Sequence, residues 1–213
     1  IQIAIVSNKI ITKYTANCRG SLDKTQVFNW SDKENKIKGD LFDFTDSFLE
    51  PTNLFEVLNK FVVADYERDS LMVLRPYQIY AIREIENLVD NSEDHGFVWH
   101  TTGSGKTLTS FKTTEILKDK KDIDKVFFIV DRNDLDSQTV DEYRKFGYED
   151  INNVENTKEL IEKIKSSTDR VIVTTIHKLS NAVDKLGKDY KDLKVVLIFD
   201  ECHRSQLGGM HEA

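Results

Sequence analysis

Four short apolar runs constrain the fold of this chain more than any other feature of its sequence. They are GFVWH, DKVFFIVD, DRVIVTTI and LKVVLIFD, at residues 96–100, 124–131, 169–176 and 193–200. Each is apolar almost throughout, which is typical of a strand buried under helices on both faces of its sheet. Stretches near residues 106–119, 134–146, 157–166 and 178–186 have helical character. This alternation predicts an α/β fold with a parallel sheet and right-handed crossovers.

The beginning of the chain follows a different pattern. IQIAIVS, IITKYTA and TQVFNW, at residues 1–7, 10–16 and 25–30, are rich in β-branched or aromatic residues and predict three strands. An Asn8-Lys9 turn separates the first two strands, and the charged residues 31–40 predict a solvated hairpin tip.

Two amphipathic helices are predicted next. Residues 51–65 carry an apolar stripe, and Pro51 suits the first turn of a helix. The stripe consists of Leu54, Val57, Leu58, Phe61 and Val62. Residues 75–90 carry a second apolar face, formed by Ala81, Ile82, Ile85, Leu88 and Val89.

Length and charge limit the domain organisation and the kind of partner. The 213 residues, 39% hydrophobic and 31% charged, allow one α/β core and a smaller appendage. We expect a small β-rich and helical segment at residues 1–70 and an α/β domain at residues 71–213. The net charge of −7 excludes attraction of a polyanion by a bulk positive field, so any nucleic acid would be held by local patches.

Cysteine content and hydropathy favour a reducing cytoplasm. Cys18 and Cys202 are far apart and form no C-x-x-C pair, so neither a disulfide framework nor a zinc site is expected. No apolar run approaches the roughly 18 residues of a membrane span, so no membrane partner is expected. The chain begins without Met and stops after GGMHEA, and we expect both ends to continue in a longer polypeptide.

The stretch WHTTGSGKTLTS at residues 99–110 has the composition of a phosphate-binding loop between a strand and a helix. Glycines let successive backbone N–H groups turn towards a phosphate, and the following helix adds the positive end of its dipole. Lys106 would contact the β- and γ-phosphates, and the Thr107 hydroxyl would ligate Mg²⁺. The predicted nucleotide-binding residues here are Thr102, Gly103, Ser104, Gly105, Lys106 and Thr107.

One position departs from the usual pattern G-x-x-x-x-G-K-[ST], because His100 replaces the leading glycine. That position only has to leave the strand, and GSGKT is intact. We expect His100 to pack or hydrogen bond rather than to act as a ligand. An ordinary strand-to-helix turn is the alternative interpretation of the loop.

An acidic pair follows the last apolar run. Asp200 would reach Mg²⁺ through a water, and Glu201 would orient the attacking water. The alternative is a strand that ends in two solvated acids, but the pair and GSGKT occur in the chain order of a nucleotide site. Cys202, His203 and His211 lack the spacing of zinc ligands.

DECH, TTGSGKT and their separation resemble the ATP-driven motors of helicase superfamily 2. With RPYQIYAI, FIVDRNDLDSQ and VTTIHKL added, the set resembles the R (restriction, motor) subunit of type I restriction enzymes. IAIVSN, ITKYTAN, FNW and DFTDSFLEP resemble the region that joins the nuclease domain of that subunit to its first motor domain. The resemblance implies a RecA-like parallel sheet with helices on both faces, incomplete at its C-terminus.

The resemblance also implies roles for single residues. Arg75 and Gln78 would lie near the adenine side of the nucleotide, with helix capping and packing as the alternative. Arg132 and Gln138, which follow Asp131, would contact the DNA backbone, although Arg132 could instead pair with a neighbouring aspartate.

Three more positions match motifs at strand ends. Thr174, Thr175 and His177 correspond to a segment that contacts the DNA backbone or couples motifs internally, and Thr175 is the DNA-contact candidate. His203 would couple the nucleotide state to DNA binding, with a satisfied core histidine as the alternative.

The function implied by the resemblance is ATP-dependent translocation of double-stranded DNA, with ATP and Mg²⁺ as cofactors and methyltransferase (M) and specificity (S) subunits as partners. Cleavage of unmodified DNA would follow. The second RecA-like domain, with its arginine for the transition state, and a D…E-x-K nuclease centre are not found in these residues, so we expect the chain alone to be inactive. The alternatives are another superfamily 2 DNA or RNA helicase or remodelling ATPase, and a non-hydrolysing scaffold.

Overall fold

The computed structural model describes residues 2–18, 22–92, 94–101, 103–130, 154, 156–186 and 192–199. They form two compact units, one up to Trp99 and the other from His100 onward. The first contains β1 (Ile3–Ser7), β2 (Thr12–Ala16), a 3₁₀ helix (Lys24–Gln26), α1 (Leu41–Phe48), α2 (Pro51–Lys60), β3 (Val62–Asp65), β4 (Ser70–Val73) and α3 (Pro76–Asn91). The second contains α4 (Lys106–Lys118), β5 (Lys125–Val130), α5 (Thr157–Lys165), β6 (Val171–Thr175), α6 (Ile176–Leu186) and β7 (Val195–Phe199). The predicted helix at residues 134–146 lies outside the described residues.

The predicted hairpin at the start of the chain is confirmed. Strands β1 and β2 pair antiparallel, from Ile3 opposite Ala16 to Ser7 opposite Thr12. At the turn, Lys9 has a φ of 78°, and Asn8 Oδ1 accepts hydrogen bonds from the backbone N–H groups of Ile10 and Ile11 at 3.1 and 2.7 Å. An asparagine that bonds to nearby backbone in this way stabilises a tight turn.

The third predicted strand, TQVFNW, is wrong. Asp23 caps a 3₁₀ helix instead, because its Oδ1 accepts from the Thr25 N–H at 2.9 Å and from the Thr25 hydroxyl at 2.6 Å. Only Phe28 pairs with β2, through reciprocal backbone hydrogen bonds with Tyr14 of 2.8 and 2.9 Å. Local side-chain bonds therefore outcompete the strand propensity of this segment.

The helix predicted over residues 51–65 is shorter in the structure. It begins at Pro51 as expected, with the Glu50 carboxylate accepting from the Asn53 N–H at 2.7 Å, but it ends at Lys60. Residues 62–65 form β3, which pairs antiparallel with β4. The apolar pattern continues across the boundary, but pairing with β4 overrides helical periodicity there.

Helix α3 is confirmed with nearly the predicted bounds, although its buried face begins earlier. Ile79 and Ile82 are fully buried, whereas Ile85, Leu88 and Val89 are only half-buried. Arg83 ties α3 to α2, because Nη2 donates to Glu56 Oε2 at 2.6 Å. The element therefore packs within the first unit.

The second unit has the predicted α/β class with a parallel sheet. The described strands are ordered β6-β5-β7, and β5 pairs parallel with both neighbours. Every residue of β5 is buried. Phe127 and Ile129 pack in one cluster with Leu160 and Ile164 of α5 and Ala182 of α6. Helix α4 also contacts β5.

Strand β7 differs from the fully covered strand that its sequence predicts. Its residues alternate between exposed and half-buried, with Val195, Leu197 and Phe199 42 to 45% exposed. Among the described strands it lies at one end of the sheet, where it has a single neighbour. An apolar run alone does not distinguish a central strand from an end strand.

The predicted strand GFVWH, residues 96–100, is wrong. These residues lie outside regular secondary structure, and Phe97 and Trp99 are each 87% exposed. A strand is stabilised by pairing with a neighbour, and within the described part of the chain this segment has no strand partner. The phosphate-loop sequence is therefore preceded by irregular backbone.

Candidate nucleotide-binding site

The loop before α4 contains a tight turn that depends on glycine. The Ser104 N–H donates to the Thr101 carbonyl at 3.2 Å, and Gly103 adopts a φ of 75°. Gly105, which directly precedes α4, has φ 80° and ψ 40°. Residues other than glycine rarely adopt these left-handed backbone conformations. The two glycines of GSGKT therefore set the shape of the loop.

His100 hydrogen bonds within this loop. Its Nδ1 lies 2.9 Å from Ser104 Oγ, and that hydroxyl donates to the Thr101 carbonyl at 2.7 Å. The expectation that His100 packs or hydrogen bonds is therefore met. A glycine at this position has no side chain to make the contact with Ser104.

Helix α4 is held firmly behind the loop. Both the backbone N–H and the hydroxyl of Thr109 donate to the Gly105 carbonyl at 3.1 Å. The Ser110 hydroxyl is 3.1 Å from the carbonyls of Lys106 and Thr107. Buried side chains follow along the helix, namely Phe111, Thr113, Thr114 and Leu117. The N-terminal turn that carries Lys106 and Thr107 is therefore fixed in position, and both side chains are half-buried.

The described part of the loop fits a bound phosphate. Apart from its chain neighbours, no described residue has an atom within 4 Å of a Cβ added at Gly103, so the described part of the chain leaves the space beside this glycine open. The N-terminus of a 13-residue helix follows at Lys106 and supplies N–H donors and a positive dipole end. Thr102, directly before Gly103, lies outside the described residues.

The other predicted motifs follow the carboxyl ends of parallel strands. Strand β5 ends directly before Asp131, and β7 ends directly before Asp200. Because the strands are parallel, both chain segments leave the sheet at the same edge. The residues beyond these points lie outside the described structure, namely Asp131, Arg132, Gln138, Asp200, Glu201, Cys202, His203 and His211.

At the end of β6, the two threonines are buried and the histidine is exposed. Thr175 Oγ1 accepts from the Lys178 N–H at 3.4 Å, at the start of α6. Thr174 Oγ1 is buried and has no hydrogen-bond partner among the described residues. Buried hydroxyls normally have partners, so this group marks an unsatisfied position at the sheet edge. His177 extends from the first turn of α6 into solvent.

Arg75 and Gln78 make contacts of helix capping and packing, the alternative to a role near the adenine. Gln78 Oε1 accepts from the Arg75 N–H at 2.9 Å, which satisfies a backbone donor at the start of α3. The Arg75 guanidinium lies over the Phe28 ring, 5.1 Å from its centroid. Capping and packing therefore account for what is observed of both residues, and a nucleotide contact stays a prediction.

Comparison with known proteins identifies the family of this chain. A profile of the SWI2/SNF2 ATPase family matches residues 77–213, which include the loop, α4 and all described strands of the parallel sheet.

Among the described helices, none is long and apolar enough to cross a membrane.

Relatives of known name match over most of the chain. The type I restriction enzyme SsaAORF53P endonuclease subunit of Staphylococcus saprophyticus is 43% identical over 99% of this chain and 23% of its own length. The SauCOLORF180P endonuclease subunit of Staphylococcus aureus strain COL gives the same values. A Mycoplasma pneumoniae protein, named as the C-terminal part of a type I restriction enzyme MpnIIP endonuclease subunit, is 45% identical over 86% of this chain and 96% of its own length. The chain spans about a quarter of the length of the staphylococcal relatives. It belongs to the endonuclease subunits of type I restriction enzymes, and its residues 77–213 belong to the SWI2/SNF2 ATPase family.

Proposed function

We propose that this chain is part of an ATP-driven motor that pulls double-stranded DNA in the R subunit of a type I restriction enzyme. The observation that carries the proposal is the GSGKT loop, with Gly103 and Gly105 at positive φ and open space beside Gly103, directly before the N-terminus of α4. The names of the relatives supply the restriction context.

The nucleotide in this proposal is ATP with Mg²⁺. Backbone N–H groups of the loop and of the first turn of α4 bind the β-phosphate, and the Lys106 ammonium binds the β- and γ-phosphates. Thr107 and Asp200 hold the metal, Asp200 through a water, and Glu201 orients the attacking water. A bound Mg²⁺ supplies positive charge that neutralises the phosphates.

The DNA contacts and the coupling rest on the sequence resemblance. Arg132, Gln138 and Thr175 contact the DNA backbone, and His203 links the nucleotide state to these contacts. Arg75 and Gln78 lie near the adenine. Because phosphate contacts carry no sequence information directly, site recognition falls to the specificity subunit.

The proposal includes a cytoplasmic complex with methyltransferase and specificity subunits, in which cleavage of unmodified DNA follows translocation. It assigns residues 1–70 to the nuclease-side region and residues 71–213 to the first RecA-like domain. The chain alone turns over ATP negligibly, because the arginine expected from a second RecA-like domain is not among these residues.

The test is the substitution Lys106→Ala in the full-length subunit assembled with its partners. We expect loss of ATP hydrolysis and of restriction of unmodified DNA, with methylation by the partner subunits retained, because only the phosphate contact is removed. Lys121→Ala, an exposed lysine shortly after α4, serves as the control and should restrict normally. A Lys106→Ala complex that still restricts unmodified DNA would overturn the proposal.

A further inference from the structure

The hydrogen bonds around Ser104 determine the direction of the contact with His100. The Ser104 hydroxyl has one hydrogen and lies 2.7 Å from the Thr101 carbonyl, which can only accept. If that hydrogen pointed at the imidazole, the hydroxyl oxygen and the carbonyl oxygen would face each other at 2.7 Å without a proton between them. The hydroxyl therefore donates to Thr101 and accepts from His100, so that Nδ1 carries the ring proton in the contact of 2.9 Å.

The result is a chain of hydrogen bonds from His100 through Ser104 to the Thr101 carbonyl. It joins the first and fifth positions of the phosphate-loop pattern and closes the loop through side chains. The same carbonyl accepts the Ser104 N–H at 3.2 Å, so the turn around Gly103 is held twice. A loop that begins with glycine lacks the first of these links.

We propose that His100 is a positioning residue that fixes the shape of the phosphate loop through Ser104 before nucleotide arrives. Lys106 and the N-terminus of α4 then have the same positions before and after nucleotide binds. A loop that is ordered in advance loses less conformational entropy on binding a phosphate. The consequence for ATP rests on the proposed function, whereas the ordering of the loop does not.

The test compares His100→Asn with His100→Gln, because the two amides separate a specific hydrogen bond from simple packing. An asparagine amide N–H occupies nearly the place of imidazole Nδ1, whereas a glutamine amide reaches the place of Nε2. We expect the Ser104 amide of the nucleotide-free chain, which donates to the Thr101 carbonyl, to exchange hydrogen about fivefold faster in His100→Ala and His100→Gln. His100→Asn should restore the wild-type rate.

Ser104→Ala provides the matched partner substitution. If the contact acts as a unit, the double variant with His100→Ala should exchange no faster than either single variant. Equal exchange in the Asn and Gln variants, or additive effects in the double variant, would overturn the inference.

Calorimetric titration with ATP·Mg²⁺ separates this inference from the proposed function. We expect His100→Ala and His100→Gln to weaken binding about fivefold and His100→Asn to match wild type. Lys106→Ala should lose ATP binding but keep wild-type amide exchange in the loop. Absence of ATP binding by the wild type, with the exchange pattern intact, would refute the nucleotide function and leave the ordering role of His100.

Discussion

Tyr14 shows how one buried polar residue organises the first unit. It is fully buried among aromatic side chains, with Phe48 at 4.7 Å and Trp30 at 6.1 Å between ring centroids. Its hydroxyl donates to the Leu74 carbonyl at 3.2 Å, which joins β2 to the segment before α3. Burial raises the pKa of Tyr14 far above its usual value, with a further contribution from Tyr80 and an opposing one from Arg75.

The raised pKa of Tyr14 predicts a loss of stability in alkali. The folded protein keeps the proton at a pH where the unfolded chain releases it, near pH 10. This contribution to the free energy of unfolding is complete below pH 10 and falls by about 1.4 kcal/mol per pH unit above it. Urea unfolding should therefore show the advantage of wild type over Tyr14→Phe shrinking between pH 10 and 11. Tyr66→Phe, at a 70% exposed position, should keep a constant difference; parallel curves for Tyr14→Phe would contradict the argument.

At the scale of elements, side-chain hydrogen bonds connect helices and strands that share no backbone hydrogen bonds among the described residues. Helices α2 and α3 are joined by Arg83, whose Nε and Nη2 donate to Glu56 Oε2 at 3.0 and 2.6 Å. In the second unit, the Lys125 ammonium at the start of β5 donates to the carbonyls of Lys163, Ser166 and Asp169 near the end of α5. The Arg83 bonds hold α3 against α2, and the Lys125 bonds hold the end of α5 against β5.

Arg83→Ala is expected to lower the free energy of unfolding of the first unit by about 2 kcal/mol, since it removes partly buried charged hydrogen bonds and leaves Glu56 without them. Arg83→Lys should recover only part of this loss, because an ammonium lacks the planar fork. Urea unfolding followed by Trp30 fluorescence in a Trp99→Phe background measures the effect, as Trp30 is 1% exposed. Arg68→Ala, which removes a long contact of 3.8 Å between an exposed arginine and the buried Asp65, should cost less than about 1 kcal/mol, because the Asp65 carboxylate keeps its hydrogen bonds from the backbone N–H groups of residues 67 and 68. Equal effects of Arg83→Ala and Arg68→Ala would rule out this role.

Lys125→Met is expected to destabilise the sheet of the second unit by about 2 kcal/mol, because it removes the donor shared by three carbonyls. Native-state hydrogen exchange of the β5 amides reports the change. Lys194→Met is the control, since its exposed ion pair with Asp122 at 2.7 Å is expected to contribute less than about 1 kcal/mol. Unchanged β5 protection in Lys125→Met would show that the carbonyls find other partners.

How far the sequence predicts these elements depends on what stabilises each one. The hairpin from β1 to β2 and helix α3 carry local signals, such as the turn at Asn8 and the apolar face at Ile82, and both were predictable. TQVFNW and GFVWH have strand composition, but a strand also needs a neighbour, which composition does not reveal. In the candidate site, GSGKT predicted a loop whose glycines turn the backbone, and the structure adds that Gly103 and Gly105 do so at positive φ. The link from His100 to Ser104 depends on the folded turn, and the sequence predicted hydrogen bonding only in general terms.

At the scale of the whole molecule, the compact units and the family match divide the chain at different places. The family match starts at residue 77, whereas α3 belongs by its contacts to the unit that ends at Trp99. The predicted domain boundary at residue 70 stays a prediction. The proposed motor further requires that the loop before α4 and the acidic pair after β7 act on one nucleotide.

The most direct test of that requirement is calorimetric titration of ATP into this chain with and without Mg²⁺, for wild type, Lys106→Ala and Asp200→Asn. Wild type should bind ATP weakly and gain about tenfold in affinity from Mg²⁺. Lys106→Ala should lose binding under both conditions, and Asp200→Asn should bind ATP but lose the gain from Mg²⁺. No binding by wild type at millimolar ATP, or an Asp200→Asn variant with the full response to Mg²⁺, would contradict a shared site.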